Sequence, residues 1–435
     1  MQGRECSAYG LFSCFPEYFS ALLEDPSGKG RQFLTSRSGI RRSLDTVEGA
    51  DADNFFHAWK EWLRGNTSDS PTVRCLIYAS YEAGNFIEQL PEPESAPPCT
   101  VLWTLYPDAS LCFDPDSGHI HLAAASQSQL DALEAMLDQV SVFEKVPANI
   151  SRSTMTATSD AAYQTAVEQV KAYITAGDVF QANIARFWKV PLDHEYLPVL
   201  YDHLRRVNPA PFSCFVRIES GIESDGGLLH ILSASPERLF RISTDGWVDT
   251  RPIAGTRKRG KEEQDAQLRE EMLLSAKERA EHIMLVDLER NDLGRVCRPG
   301  SVEVNERMTV ERYATVQHIV SNVRGRLAEG KNVVDVFRAM FPGGTITGCP
   351  KVRCMEIIHE LEGQARGPYT GGIGYVAWDG SADMNILIRS FWHTDGTLNW
   401  AAGAGIVADS DPAFELIETE HKAAGLLRAL ASQLW

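Results

Sequence analysis

The sequence predicts an α+β fold, rich in sheet with helices outside, and three observations carry that prediction. Strand-like and helix-like stretches alternate irregularly and not as repeated βαβ units. Two Asp-Gly dipeptides, Asp379-Gly380 and Asp395-Gly396, sit between strand-like runs and signal hairpins. Long helical patterns cover about 264–289, 349–362 and 412–431. With 435 residues and 43% apolar content the chain can bury a large core, which excludes disorder and small disulfide-stapled scaffolds.

Taken in order, residues 1–150 carry mixed, weakly periodic signals and are assigned a structural or regulatory role, with 151–435 as the catalytic portion. Pro91, Pro93, Pro97 and Pro98 make Gln89 to Pro98 a surface loop, because proline disrupts helix and central strand alike. From Ser159 the periodicity sharpens: Tyr163, Ala166, Val167, Val170 and Ile174 mark one helical face that stops at Gly177. A strand is expected over Val179 to Trp188, with Phe180, Ala182 and Ile184 on one face and the amides Gln181 and Asn183 on the other. Farther on, Tyr375 to Trp378 and Ile386 to Trp392 flank the first Asp-Gly turn, and Leu398 to Val407 follows the second. On the last helix Leu416, Ala423, Leu427 and Leu430 form an apolar stripe, separate from its acidic face.

Charge narrows the choice of partners. The 42 basic and 59 acidic residues give −17, which repels phosphate backbones and anionic lipid, so neither nucleic acid nor a membrane surface is expected as a partner. An anionic substrate then requires a local reversal of the field by cations, helix N-termini or a metal. Nine cysteines without a CxxC pair read as reduced thiols in the cytoplasm. Cys349, Cys354 and His359 lack the spacing and the fourth ligand of a zinc site. No apolar run approaches about 18 residues, and the N-terminal apolar stretch ending at Pro16 lacks a basic leader, so no span or signal peptide is expected.

Several motifs remain. FPGGTITGCPK, Phe341 to Lys351, fails as a phosphate loop because Cys-Pro-Lys follows Gly348 where Lys-Ser/Thr is needed. Pro350 suits a first helical turn, making Gly343 to Gly348 a tight loop that feeds a helix. Glu278 and Glu281 are three residues apart on one predicted helix, as are Glu415 and Glu418 on another, so each pair shares a face. Glutamate-rich faces are ordinarily solvated, and Glu418 with Lys422 is an ordinary i,i+4 pair. Four converging carboxylates would nevertheless suit Mg²⁺, a hard cation taking oxygen ligands. Gly403-Ala404-Gly405 lets backbone N–H groups approach a ligand closely. Taken singly, Glu237 in Ser235-Pro236-Glu237-Arg238 reads as exposed or paired, His318 as a satisfied core histidine, and Arg389 as a strand end reaching solvent.

Taken together and in order, SPER (235–238), RPIAGTR (251–257), the Glu278/Glu281 helix, VDLERNDLGR, FPGGTITGCPKVRCMEII, GGIGY, ILIRS, AGAGIVADS and ETEHK resemble the chorismate-utilising enzymes, densely over about 160–435. The resemblance implies two antiparallel β-sheets packed as a sandwich, with helices outside and the site between. It implies Glu281 and Glu418 as Mg²⁺ ligands, with Glu278 and Glu415 as water-linked outer carboxylates. Lys422, Gly403 and Gly405 are then expected at the ring carboxylate of chorismate, and Arg389 with Tyr369 at the enolpyruvyl carboxylate. Glu237 matches the general acid that protonates the departing C4 hydroxyl. His318, Thr256 and Thr345 match positions lining the ring, with His318 as a base or orienting group.

Gln181 stands where water-using members carry a lysine base, so the chain resembles the ammonia-using branch, made up of the large components of anthranilate synthase and aminodeoxychorismate synthase. A separate glutamine amidotransferase is the implied source of ammonia. Gln181 to Arg186, VDLERNDLGR and FPGG resemble the aminodeoxychorismate-forming members, and this is the preferred reading. Ala254 resembles the anthranilate-forming members, since well-studied enzymes of the other kind place there a lysine thought to attack C2. Leu22-Leu23-Glu24-Asp25 only loosely resembles the tryptophan-binding element of regulated anthranilate synthases, so strong tryptophan inhibition is not expected.

Overall fold

Two antiparallel sheets lie face to face, and the chain crosses from one to the other repeatedly; two of the crossing segments hold Glu237 and Arg389. The computed structural model describes residues 7–65, 67–90, 99–139, 155–219, 228–258, 270–271, 274–312 and 316–431, with backbone alone at 254, 256–258, 276–278, 312 and 316. The expected Pro-rich loop over 91–98, the boundary at 150/151 and most of 264–273 lie outside the described residues.

In the first sheet the central run, in spatial order, is Gln181–Pro191, Thr397–Ile406, Ser390–Thr394, Leu228–Ser235, Phe212–Glu219, Phe19–Glu24 and Gln32–Ser36. The second runs Ile253–Lys258, Val316–Arg326, Trp247–Thr250, Arg238–Ile242, Ala382–Ile386, Gly372–Ala377, Val73–Ala79, Leu102–Pro107 and Gly39–Leu44. Strands from the first 150 residues therefore complete both sheets: Leu22 pairs with Phe215, and Ile77 with Gly374.

Burial follows the two-residue period of the strands. Ala21, Val216 and Ile231 point inward to a core shared with Leu76, Tyr78 and Ile373 of the second sheet. Their neighbours Leu22, Phe215 and Leu232 point outward against Leu197, Leu200, Leu426 and Ala429 of the covering helices. Phe33 and Tyr375 close the gap between sheets with ring centroids 4.3 Å apart. A strand buried on both faces shows no polar alternation, which is why the N-terminal third looks featureless as sequence. Each large apolar side chain buried this way contributes about 1.5–3 kcal/mol.

The helices form where their caps and apolar faces dictate. Asp160–Ala176 begins under the Ser159 side chain, which accepts from the Ala162 N–H at 3.2 Å, and ends at Gly177 with φ +85°. Lys351–Glu362 starts directly after Pro350, and Pro412–Ala431 is capped by Asp411, which accepts from Ala413 N at 2.9 Å. Leu426 and Ala429 join the expected apolar stripe of that last helix.

Five expectations need correction. Phe180 lies outside the strand, which begins at Gln181, and it is 68% exposed. The run Ile386 to Trp392 is not one strand: Ala382–Ile386 belongs to the second sheet and Ser390–Thr394 to the first. Arg389 therefore stands in a crossing segment and not at a strand end, with φ +53°. The acidic helix, Ala276–Gly294, runs beyond position 289. The glycine loop contains a helical turn, Gly344–Thr347, and then pairs Gly348 and Cys349 with Ala182 and Gln181.

Candidate active site

Glu237 occupies another crossing segment, between Leu228–Ser235 of the first sheet and Arg238–Ile242 of the second. The two crossings are laced together: Ile386 N donates to Glu237 O at 3.1 Å, Ala234 N to Arg389 O at 3.1 Å, and Ser235 Oγ to Ile386 O at 2.5 Å. An acid and a guanidinium are thus fixed on adjoining backbone at one end of the sandwich. Glu237 is 8% exposed, and burial raises its pKa to about 7 against the lowering effects of Thr345 and Lys422. It is neither exposed nor paired with its neighbour; Arg238 pairs instead with Asp383 through two bonds of 2.8 and 2.9 Å.

Burial also lowers the pKa of Arg389, against the charges of Tyr369 and Glu418. A desolvated guanidinium favours an anionic ligand. The buried His318 is held near pKa 4, first by desolvation and then by the Arg389 cation, so it is neutral at pH 7. The backbones of Ala254 and Thr256 pair opposite Ile319 and His318; their side chains are outside the described residues.

On the first sheet, Gly403 and Gly405 are required by contact. A Cβ on Gly403 would lie 2.4 Å from Asn183 Oδ1 and 2.8 Å from the Tyr369 hydroxyl, and one on Gly405 would lie 2.2 Å from Gln181 Nε2. Gln181 Nε2 donates to Glu281 Oε1 at 3.1 Å. Lys422 Nζ donates to Gly403 O at 2.9 Å and pairs with Glu418 at 2.7 Å. Glu281 and Glu418, from two distant helices, are therefore tied to groups lying on glycines two residues apart. Burial raises the pKa of Tyr163, and Glu415, Tyr369, Glu418 and Glu362 add to the rise, which places the acidic face of the last helix beside the Tyr369 turn.

Glu415 is buried and Glu418 is half-exposed with Lys422 as its partner; the side chain of Glu278 is outside the described residues. Among the described residues no group of three or more His, Cys, Asp or Glu side chains stands ready to hold a metal ion. The donors are all carboxylate oxygens, and Mg²⁺ needs only one or two of them beside water and substrate oxygens. The donor set fits the ion.

Among the described residues two buried acceptors, Gln181 Oε1 and Asn183 Oδ1, have no hydrogen-bond partner. Gln181 and Glu281 also line a cleft of about 1180 Å³, with Asp292, Lys351 and Asp409 elsewhere on its wall. Sequence reading missed the support of Tyr369. Arg366, 1% exposed, pairs with Glu362 at 2.6 Å and donates to Asn183 O at 2.7 Å, while Glu82 accepts from Arg366 N at 2.8 Å. The i,i+4 spacing of Glu362 and Arg366 was the available signal, and it reads as an ordinary surface pair. All the described cysteines are free, and Cys354 donates to Gln181 O at 3.0 Å as a buried thiol and not as a zinc ligand.

A buried acid and a desolvated arginine on adjoining backbone, with carboxylates of two helices and two buried amide oxygens nearby, suit a small substrate bearing carboxylates. The chain belongs to the chorismate binding enzyme family, whose profile matches residues 21–428. An anthranilate synthase component I-like protein of Synechocystis sp. is 44% identical over 364 residues, 82% of this chain and 72% of that protein. Aminodeoxychorismate synthase component 1 of Bacillus subtilis is 40% identical over 395 residues, 86% of this chain and 81% of that one. Among solved structures, anthranilate synthase component I from Streptococcus pneumoniae has a TM-score of 0.78 at 27% identity, covering 91% of this chain and 92% of that one. No described helix is long and apolar enough to cross a membrane.

Proposed function

We propose that this chorismate-utilising enzyme is the large component of an aminodeoxychorismate synthase, converting chorismate and ammonia to 4-amino-4-deoxychorismate with Mg²⁺, its ammonia released by a separate glutamine amidotransferase. The observation that carries the use of nitrogen is Gln181. Its amide donates to Glu281 and leaves a buried Oε1 without a donor, a place for an N–H group and a poor one for activating water, since an amide is no base.

In this reading Glu281 and Glu418 would hold Mg²⁺, with Glu278 and Glu415 behind it, and the ion would neutralise the ring carboxylate. Lys422 and the backbone at Gly403 and Gly405 orient that carboxylate, and Arg389 and Tyr369 hold the enolpyruvyl carboxylate. Glu237 gives its proton to the C4 hydroxyl, which departs as water while the C4–N bond forms and the nitrogen sheds a proton. Neutral His318 orients the ring with Thr345 and Thr256. Ala254 cannot form an adduct at C2, so ammonia reaches C4 directly.

A second reading rests on the same Ala254: ammonia adds at C2 and pyruvate leaves, giving anthranilate. Glu24 of the Leu22-Leu23-Glu24-Asp25 segment supports the first, being engaged by Arg205 at 2.7 and 2.8 Å and by the Tyr201 hydroxyl at 2.8 Å, which leaves it unsuited to a regulatory amino acid. The deciding experiment is chromatography after incubation with chorismate, Mg²⁺ and ammonium. Aminodeoxychorismate is the expected product; fluorescent anthranilate as sole product, or tight tryptophan inhibition, would replace the first reading by the second.

A further inference from the structure

One buried side chain that the proposed chemistry does not use binds three walls of the site at once. Arg366 lies between Lys351–Glu362 and Gly372–Ala377, and its side chain and that of Glu362 are each 1% exposed. All five of its N–H donors are committed. Nε and Nη2 donate to the Glu362 carboxylate at 2.9 and 2.6 Å, and Nη2 donates also to Asn183 O at 2.7 Å. Nη1 donates to Ile346 O at 3.1 Å and to Thr370 Oγ1 at 3.3 Å.

These bonds complete a sheet edge. Gly348 and Cys349 pair with Ala182 and Gln181, but the residues before them form the helical turn Gly344–Thr347, so the partner strand extends no farther along Gln181–Pro191. Where that ladder stops, Arg366 takes Asn183 O, and Ala185 N donates to Glu362 Oε1 at 2.8 Å. The ion pair stands in for a missing strand, since buried backbone groups cannot be left bare. Across the strand from them lie Gly405 and Gly403. The bond to Ile346 O holds the glycine loop beside Thr345, and the bond to Thr370 holds the turn of Tyr369, whose ring centroid is 5.6 Å from the guanidinium carbon. Thr370 has φ +61°, a costly conformation for a β-branched residue that its surroundings must enforce. Its N–H donates to Leu387 O at 2.8 Å, two residues before Arg389.

We propose that Arg366 is a positioning residue that fixes the nitrogen end of the site, at Gln181, relative to the carboxylate end, at Tyr369 and Arg389. A lysine carries its donors on one atom and cannot span acceptors on three separate elements. The proposal rests on the reading of Gln181 and Tyr369 as groups that face the substrates.

Steady-state kinetics of the full chain with Mg²⁺, varying chorismate and ammonium in turn, test it alongside chemical denaturation. Arg366→Lys keeps a cation opposite Glu362 and is expected to fold, while KM for chorismate and KM for ammonium each rise about tenfold. A purely structural arginine would move neither: loss of folded protein lowers the apparent kcat in proportion and leaves both KM values at the parent's. That result overturns the proposal, as does a rise in one KM alone. Should Arg366→Lys not fold, the double variant Glu362→Gln with Arg366→Met removes both buried charges together and is expected to fold with the same paired rise; parental KM values in it overturn the proposal. Tyr369→Phe and Gln181→Met at the parent's KM values would instead remove the substrate reading, and the proposal with it.

Discussion

At the scale of single residues, burial converts an ordinary glutamate into an acid that still holds its proton near neutrality. Because Glu237 is raised from 4.5 to about 7, turnover through it is expected to fall as pH rises through about 7. Glu237→Gln should lower kcat by about 10² to 10⁴ while chorismate still binds, checked by steady-state kinetics and equilibrium binding. The same shift bears on stability. A carboxyl whose folded pKa is raised contributes fully below the unfolded value, and the contribution is lost as pH climbs from about 4.5 to about 7. The loss amounts to roughly 3 kcal/mol, so Glu237→Gln should raise the denaturation midpoint at pH 8 and leave it nearly unchanged at pH 4. Little of this was legible one residue at a time. Glu237, His318 and Arg389 are commonplace in isolation and gain meaning only from the order of motifs around them.

Between residue and domain, the elements that set the geometry were read with uneven success. The helix ending at Gly177, the second Asp-Gly hairpin and the helix after Pro350 were legible because caps and turn residues act locally. The sheet crossings at Glu237 and Arg389 were not, because nothing nearby distinguishes a strand that continues from one that leaves its sheet at Arg389. Here the glycines give a graded expectation. Gly405→Ala displaces only the Gln181 amide, and should lower kcat at least tenfold through loss of its bond to Glu281, with a stability loss near 1 kcal/mol. Gly403→Ala also meets Ile184 O at 2.8 Å, and should destabilise more, by about 2–3 kcal/mol in chemical denaturation. Arg366→Met strands the buried Glu362 carboxylate and should destabilise by about 3–5 kcal/mol on the same measurement.

For the whole molecule, two helices far apart in the chain, Ala276–Gly294 and Pro412–Ala431, must meet over one strand before the proposed ion site exists. Chelation of divalent ions is therefore expected to abolish turnover reversibly, and added Mg²⁺ with chorismate to raise the thermal midpoint by linkage; no shift in Glu281→Gln would confirm the ligand. The interior position of the earliest strands has a further consequence, and it concerns time. Phe19–Glu24 waits for Phe212–Glu219, and Val73–Ala79 for Gly372–Ala377, so a nascent chain leaves the ribosome with sticky ribbons whose neighbours have yet to be synthesised. Such distant pairings slow folding and expose the unfinished polypeptide to aggregation. Chaperone dependence during translation would then be a property of the topology itself.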